Sequence, residues 1–489
     1  LKIAGLVIAL AGCDQLFGLP DIGVRPDASP DAPAYLVTGT FLQHFVYHDI
    51  QFQPMVVDVH PTTVAASVTL DDGTTAAVDY HADGTFAFPL AHPGQAYRLM
   101  LDTPDGGSDI ESDTPTLQIA TSSPTRPIAQ RTPVTQQTLL QIRMNGGSPL
   151  MGQAWLASTG VASDTNTGEP NGNFDFDWRT AATFGGSIAL LDTTDYNDAL
   201  YVLDVTTSPY YSIAQSYRIA IDQVDGYPLP IIGNLVPANA TGCVHLTAER
   251  GDEYARLAAA VPGASGGNAD WIVTAVPALS LDAAATYFVA YSPAPNPPAN
   301  ADLNVRFANI YDGYPVIASA GVTLLNPVTV PNTTTPFQAY VSSRVYVTIA
   351  DAATCTGTTD IPSGLAQVAG GAIVAGTPVA ADATTVALPA SGDVTIAWSA
   401  AAPGPVDFTT VTVYELRAVS GITVPRLVDS TITAKSVAHF PASLFAAGHD
   451  YIVRFDSVVG FPDAATGDFA HTTYPHGAAE SWSRWFTLQ

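Results

Sequence analysis

The chain has 489 residues, 47% of them hydrophobic, with 44 acidic against 17 basic residues and a formal net charge of −27. At ~150 residues per domain that length allows about three or four domains, each with enough apolar side chains for a core. The charge argues against nucleic acid, whose binding rests on Lys and Arg neutralising phosphates, and against an anionic membrane face. It suits solubility and the attraction of cations.

Lys2 and Lys435 are the only lysines, and six glutamates stand among the acids. Lys and Glu favour helices, whereas Asp favours turns. With 39 Gly and 38 Pro, the composition describes strands joined by turns. The expected fold class is all-β: several tandem β-sandwich, immunoglobulin-like domains behind a signal segment and a flexible tether.

At the start, Lys2 precedes an apolar run over residues 3–11, then Gly12 and Cys13. A membrane-spanning helix needs roughly 20 apolar residues, so half that length suits the apolar region of a signal peptide. Leu10-Ala11-Gly12-Cys13 resembles the bacterial lipobox. The resemblance implies that residues 1–12 are a lipoprotein signal peptide and that Cys13 carries lipid. Two or more acyl chains give the stable membrane anchor that a single chain does not. The implied location is the bacterial cell envelope, at the outer membrane or surface ahead of the inner membrane. Residues 13–33, rich in Pro and Asp, read as an extended solvated tether.

Residues 34–132 read as a first β-sandwich. Apolar alternation on either side of Asp71-Asp72-Gly73 predicts a hairpin. "ADGTFAF" puts a turn at Asp83-Gly84 and places Phe86 and Phe88 on one face, and Gly94 precedes a strand at Tyr97. This stretch resembles the carboxypeptidase regulatory-like (transthyretin-like) sandwich, which implies an accessory, generally non-catalytic module. His44 and His48 are four apart, but their surroundings favour a strand, not the helix that would align them on a metal.

Residues 133–291 read as a central β-rich domain. "SDTNTGEPNGNFDFDW" concentrates oxygen donors, and Asp164, Asn166, Asn173, Asp175 and Asp177 are the candidate ligands of a structural calcium ion. Asx-rich turns without metal are the other reading. A short helix is expected over residues 250–261, opening on Arg250-Gly251-Asp252, an adhesion tripeptide that also suits a helix cap. Gly263-Ala264-Ser265-Gly266-Gly267 matches the nucleophile-elbow pattern, but that motif needs a strand before it and a helix after it. Here a helix precedes and a strand-like run follows.

Residues 292–302 read as a Pro-rich linker and 303–378 as a further β-rich domain. In residues 384–489, Val394, Ile396 and Trp398 share a strand face, Val411 and Val413 share another, and Gly448 stands three residues before Tyr451. This resembles the fibronectin type III domain, with a core Trp and a tyrosine corner. The resemblance implies a spacer or binding module, with the Tyr451 hydroxyl bonded to backbone just upstream. His439, His449, His471 and His476 are irregularly spaced and read as separate side chains.

With Cys13 assigned to lipid, Cys243 and Cys355 remain. An exported protein can join them, and sequence leaves open whether they pair or stay as buried thiols. The favoured reading is a lipid-anchored envelope protein that presents non-catalytic β-sandwich modules. Its partners would be the membrane, through Cys13, and another envelope protein or a glycan. A hydrolase centred on Ser265 and a calcium-stiffened adhesin are the alternatives.

Overall fold

The computed structural model describes residues 35–48, 54–103, 106–123, 139–146, 153–158, 163–168, 174–179, 194, 199–206, 211–222, 224, 227–261, 263–275, 287–291, 299–310, 316–349, 357–365, 369–400 and 406–489. The lipobox, Cys13 and the tether lie outside this set. The described chain is all-β: sandwiches follow one another along it, and one helix, Arg250–Ala260, interrupts the strands.

The first sandwich has two sheets. In one, Tyr35–His48 lies between Thr85–Leu90 and Thr116–Ser123. In the other, Tyr97–Thr103 lies between Ala65–Leu70 and Gly106–Ser112. Phe41, Phe86, Phe88, Leu99, Leu101 and Ile119 interlock between them. They do so because side chains alternate across each strand and the apolar ones recur every second residue. The hairpin at Asp72 forms as expected: Gly73 donates its N–H to the Leu70 carbonyl at 2.9 Å, and Asp72 Oδ1 accepts the Thr74 N–H at 2.8 Å. Asp83 and Thr85 repeat that arrangement at 3.0 Å. Such Asx contacts, not bulk polarity, set these turns.

The middle of the chain departs from the expected division. Gly242–Ala248 pairs with Ala301–Phe307 on one side and Thr358–Ile361 on the other. Ser265–Ala275 pairs with Val316–Val328. Leu203, Leu246, Trp271, Val305, Phe307, Ala318 and Val345 therefore belong to one core. The expected linker at 292–302 does not separate two domains, and a strand already begins inside it at Ala301. Proline content marks a stretch as locally irregular; it says nothing about which flanking strands pair.

The last sandwich begins earlier than residue 384. Ala369–Val374 pairs with Asp393–Ala400, which pairs with Val437–Pro441. The facing sheet runs through Ile422–Thr433, Phe408–Val419, Asp450–Val459 and His476–Trp482. Trp398 packs on Phe455 with ring centroids 5.3 Å apart. The tyrosine corner is present: the Tyr451 hydroxyl accepts the Ala446 N–H at 2.8 Å. The closing strand is split, with His476–Trp482 and Phe486–Leu488 on either side of Ser483, Arg484 and Trp485. The domain is fibronectin type III-like in these features.

The first and last sandwiches are clasped together. Between residues 460 and 475 the last domain sends out Asp468–Phe469, which pairs in parallel with Gln118 and Ile119. Phe469 and Ala464 enter the core of the first sandwich. Gly467 allows that approach: its φ is 97°, and a Cβ there would sit 2.0 Å from the Thr116 carbonyl oxygen. A second seam joins Ile110 and Glu111 to Ile432 and Thr433. His476–Trp482 also pairs with Phe337–Thr348 of the middle unit. His476 is buried there between the Tyr346 and Phe461 rings, and burial lowers its pKa to about 4, so it is neutral near pH 7.

Tyr451→Phe removes the acceptor of the Ala446 N–H while keeping the ring. A loss of about 1–3 kcal/mol is expected for a group left unsatisfied. It should appear as a lower urea midpoint with an unchanged denaturant slope.

Candidate functional site

A cleft of about 380 Å³ opens between the first and last sandwiches. Strand alternation supplies its first wall. Tyr97, Leu99 and Leu101 point into the sandwich, so Arg98 and Met100 point out, beside Ser67 and Thr69 of the neighbouring strand. Glu111 comes from Gly106–Ser112. The facing wall carries Val428 and Asp429 of Ile422–Thr433, His439 and Pro441 of Val437–Pro441, and Leu444 from the short 3-10 turn after it. Asp71 and Asp393, both exposed, complete the charged part of the lining.

Charge pairs across the junction hold the walls in place. Arg98 makes a two-pronged contact with Asp109, Nε to Oδ1 at 2.8 Å and Nη2 to Oδ2 at 2.6 Å. Its Nη2 also lies 2.8 Å from Asp429 Oδ2 on the other sandwich. Thr431 donates to Asp109 Oδ1 at 3.1 Å. Burial opposes the Arg98 charge, but bonds and charges from both aspartates outweigh it and hold the guanidinium above its ordinary pKa. Asp109 is also raised: burial is the largest cause, Arg98 offsets part of it, and Asp429 adds repulsion.

The second pair is Glu111 with His439. Glu111 Oε2 accepts the His439 backbone N–H at 2.8 Å, and Oε1 meets His439 Nδ1 at 2.5 Å. The Glu111 bond holds the imidazole above its ordinary 6.5, against partial burial. Lys435 reaches Asp113 at 2.6 Å nearby.

Elsewhere the expected sites are dispersed. Asp164 and Asn166 lie on Ser163–Gly168, which pairs with Gln153–Ser158. Asp175 and Asp177 lie on Phe174–Arg179, which pairs with Leu139–Asn145 in a different sheet. The expected calcium loop is thus two strands, and Asn173 lies outside the described residues. Backbone pairing overrides the turn preference of these Asx residues. Among the described residues no group of three His, Cys, Asp or Glu is placed to hold a metal ion. Ser265 opens the strand Ser265–Ala275 after the helix, the reverse of a nucleophile elbow. Cys243 is disulfide-bonded, and Cys355 lies outside the described residues.

The adhesion tripeptide is a helix start. Asn300 Oδ1 accepts the Gly251 N–H at 2.8 Å and its amide donates to Asp252 at 3.0 Å, while Arg250 is buried. The histidines go to separate partners: His44 to Asp58, His449 to Glu415 and His471 to Asp468. Of the residues that shape the cleft, the sequence drew attention to Asp71 as a turn residue, Tyr97 as a strand residue and His439 as a separate histidine, and to none of them as part of a binding surface. Arg98 at an outward strand position was the available signal, but its partner Asp429 is too distant in the chain for any local pattern to join them.

No protein-family model and no curated protein matches the chain. Three solved structures give the scale of similarity. The N-terminal four Ig domains of Dscam1 isoform 4.4 are 8% identical, covering 94% of this chain and 100% of that one with a TM-score of 0.12. The chicken CNTN1 FN1-FN3 domains are 7% identical, covering 92% and 100% with a TM-score of 0.13. Sidekick-1 immunoglobulin domains 1-4 are 6% identical, covering 94% and 100% with a TM-score of 0.12. At such scores the overlap settles neither domain arrangement nor function; the fold rests on the strand pairings above.

Arg98→Met leaves Asp109 and Asp429 facing each other without their cation. These groups are only partly buried, so the cost should fall below the about 3–5 kcal/mol of a fully buried pair, and adding Asp109→Asn and Asp429→Asn to Arg98→Met should restore part of it in denaturant titrations. His439 gives a pH signature. Its folded pKa lies above the unfolded value, so its contribution is complete below about pH 6.5 and is lost as pH rises through the folded pKa. Melting temperature should fall over that window in the wild type and fall less in His439→Gln.

Proposed function

We propose that this chain is a lipid-anchored protein of the bacterial cell envelope that presents a non-catalytic recognition surface, the cleft between its first and last sandwiches. The cleft carries the reading. Ligand sites are concave, preformed, and apolar with a few placed polar groups. This one combines Met100, Val428 and Leu444 with Asp71, Glu111, Asp393 and His439. Its walls come from two domains locked by ion pairs, so little ordering remains to be done on binding.

The anchor rests on Leu10-Ala11-Gly12-Cys13 and the Pro- and Asp-rich stretch behind it. A tether of that kind would hold the sandwiches clear of the bilayer, and the net charge of −27 would keep them in solution. The likeness of residues 34–132 to carboxypeptidase regulatory-like modules supports an accessory role. Another envelope protein or a glycan is the partner class this location offers.

Fractionation of cells tests the anchor. The wild type should sediment with membranes, and Cys13→Ser should be released. Protease added to intact cells should then digest the last sandwich if it is displayed at the surface. A Cys13→Ser protein that fractionates like the wild type overturns the anchor.

A further inference from the structure

We infer that the cleft receives an arginine or lysine side chain flanked by an apolar residue, in a short peptide segment of a partner protein. The inference rests on the reading of the cleft as a recognition site and names its ligand class. Three observations carry it.

The first is unspent negative charge. Asp109 and Asp429 are occupied by Arg98, and Glu111 by His439. Asp393 makes no side-chain hydrogen bond or ion pair among the described residues; its charge acts on His439 only through space, and it is exposed. Asp71 is aimed by a support beneath it: Gln95 is 2% exposed, its amide donates to Asp71 Oδ1 at 2.9 Å, and its carbonyl accepts the Ala91 N–H at 2.8 Å. The other Asp71 oxygen is left for a ligand. Gln95 therefore acts as a positioning residue for that carboxylate.

The second is exposed apolar surface between these carboxylates. Met100 is 47% and Leu444 42% exposed on opposing walls. Such side chains gain about 25 cal/mol for each Å² that a ligand covers. A bare metal ion uses none of this. An Arg or Lys stem covers apolar surface while its head reaches a carboxylate.

The third concerns what else could enter. Sugars pack their C–H faces on exposed aromatic rings. Tyr97 is the aromatic residue of the lining; it is 2% exposed, and its hydroxyl is spent on the Thr114 carbonyl at 2.7 Å. An added β-strand is opposed as well. The edge of Val437–Pro441 facing the first sandwich has its His439 N–H taken by Glu111, and Pro441 has none to offer. The occupant therefore binds through side chains.

Calorimetry on the full chain tests this with acetyl-Leu-Arg-Leu-amide, its Gln and Glu counterparts, and a tetrasaccharide of N-acetylglucosamine. The Arg peptide should bind about tenfold more tightly than the Gln peptide, the difference between a charged and a neutral hydrogen bond. Asp393→Asn and Asp71→Asn should each shrink that preference, while Met100→Ser should weaken the Arg and Gln peptides alike. Gln95→Leu should shrink the preference without touching any ligand atom. Equal binding of the Gln peptide overturns the cationic assignment and leaves the cleft a recognition site. Binding of the tetrasaccharide with no peptide bound also overturns it and keeps the cleft. If neither peptides nor saccharide bind, both the ligand class and the reading of the cleft fall.

Discussion

The molecule depends on one segment, residues 460–482, whose backbone is hydrogen-bonded to two other units at once. Asp407 starts it by accepting the Gly460 and Phe461 N–H groups at 2.7 and 2.8 Å. Gly460 then accepts the Thr473 N–H at 2.7 Å and closes the excursion into a compact loop. On the way out the segment gives Asp468–Phe469 to the first sandwich; on the way back it gives His476–Trp482 to the middle unit. Few side-chain exchanges are tolerated in such a place, because Gly467 lies against the Thr116 carbonyl and His476 is sealed among aromatic rings. The sandwiches are consecutive in the chain, but this segment folds the last of them back onto the first.

That closure explains the chemistry of the junction. Arg98, Asp109 and Asp429 would be water-exposed if the sandwiches were separate. Brought together, they surrender hydration for one another, and such clusters gain little net stability over apolar packing. What they supply is register: a two-pronged guanidinium contact with Asp109 plus a second carboxylate, Asp429, fixes the angle between the walls. Glu111 does similar work by holding the His439 imidazole and by covering an N–H on an otherwise open strand edge. The cleft is what remains between two surfaces held apart by these contacts.

The legible features were those with a local cause. The Asp72 and Asp83 turns, the alternation of Phe86 and Phe88, the helix at Arg250–Ala260 and the Tyr451 corner each depend on residues within a few positions of one another. The errors share the opposite cause. Prolines at 292–302 suggested a boundary because pairing of Gly242–Ala248 with Ala301–Phe307 leaves no trace in either strand. The Asx-rich stretch suggested one loop because its residues are adjacent in sequence, whereas sheet pairing sends Asp164 and Asp175 to different sheets.

By itself, the sequence determined the fold class, the turns at Asp72 and Asp83 and the inward faces of strands such as Thr85–Leu90 and Tyr97–Thr103, since period-two burial and Asx turn chemistry are written in neighbouring residues. It also supplied the lipobox-like start. Only the tertiary structure decided which surfaces meet. A strand's outward residues look alike whether they face water or another domain, so nothing in "YRLML" or "RLVDS" told Arg98 and Asp429 that they are partners. The cleft exists only where those two stretches are brought together.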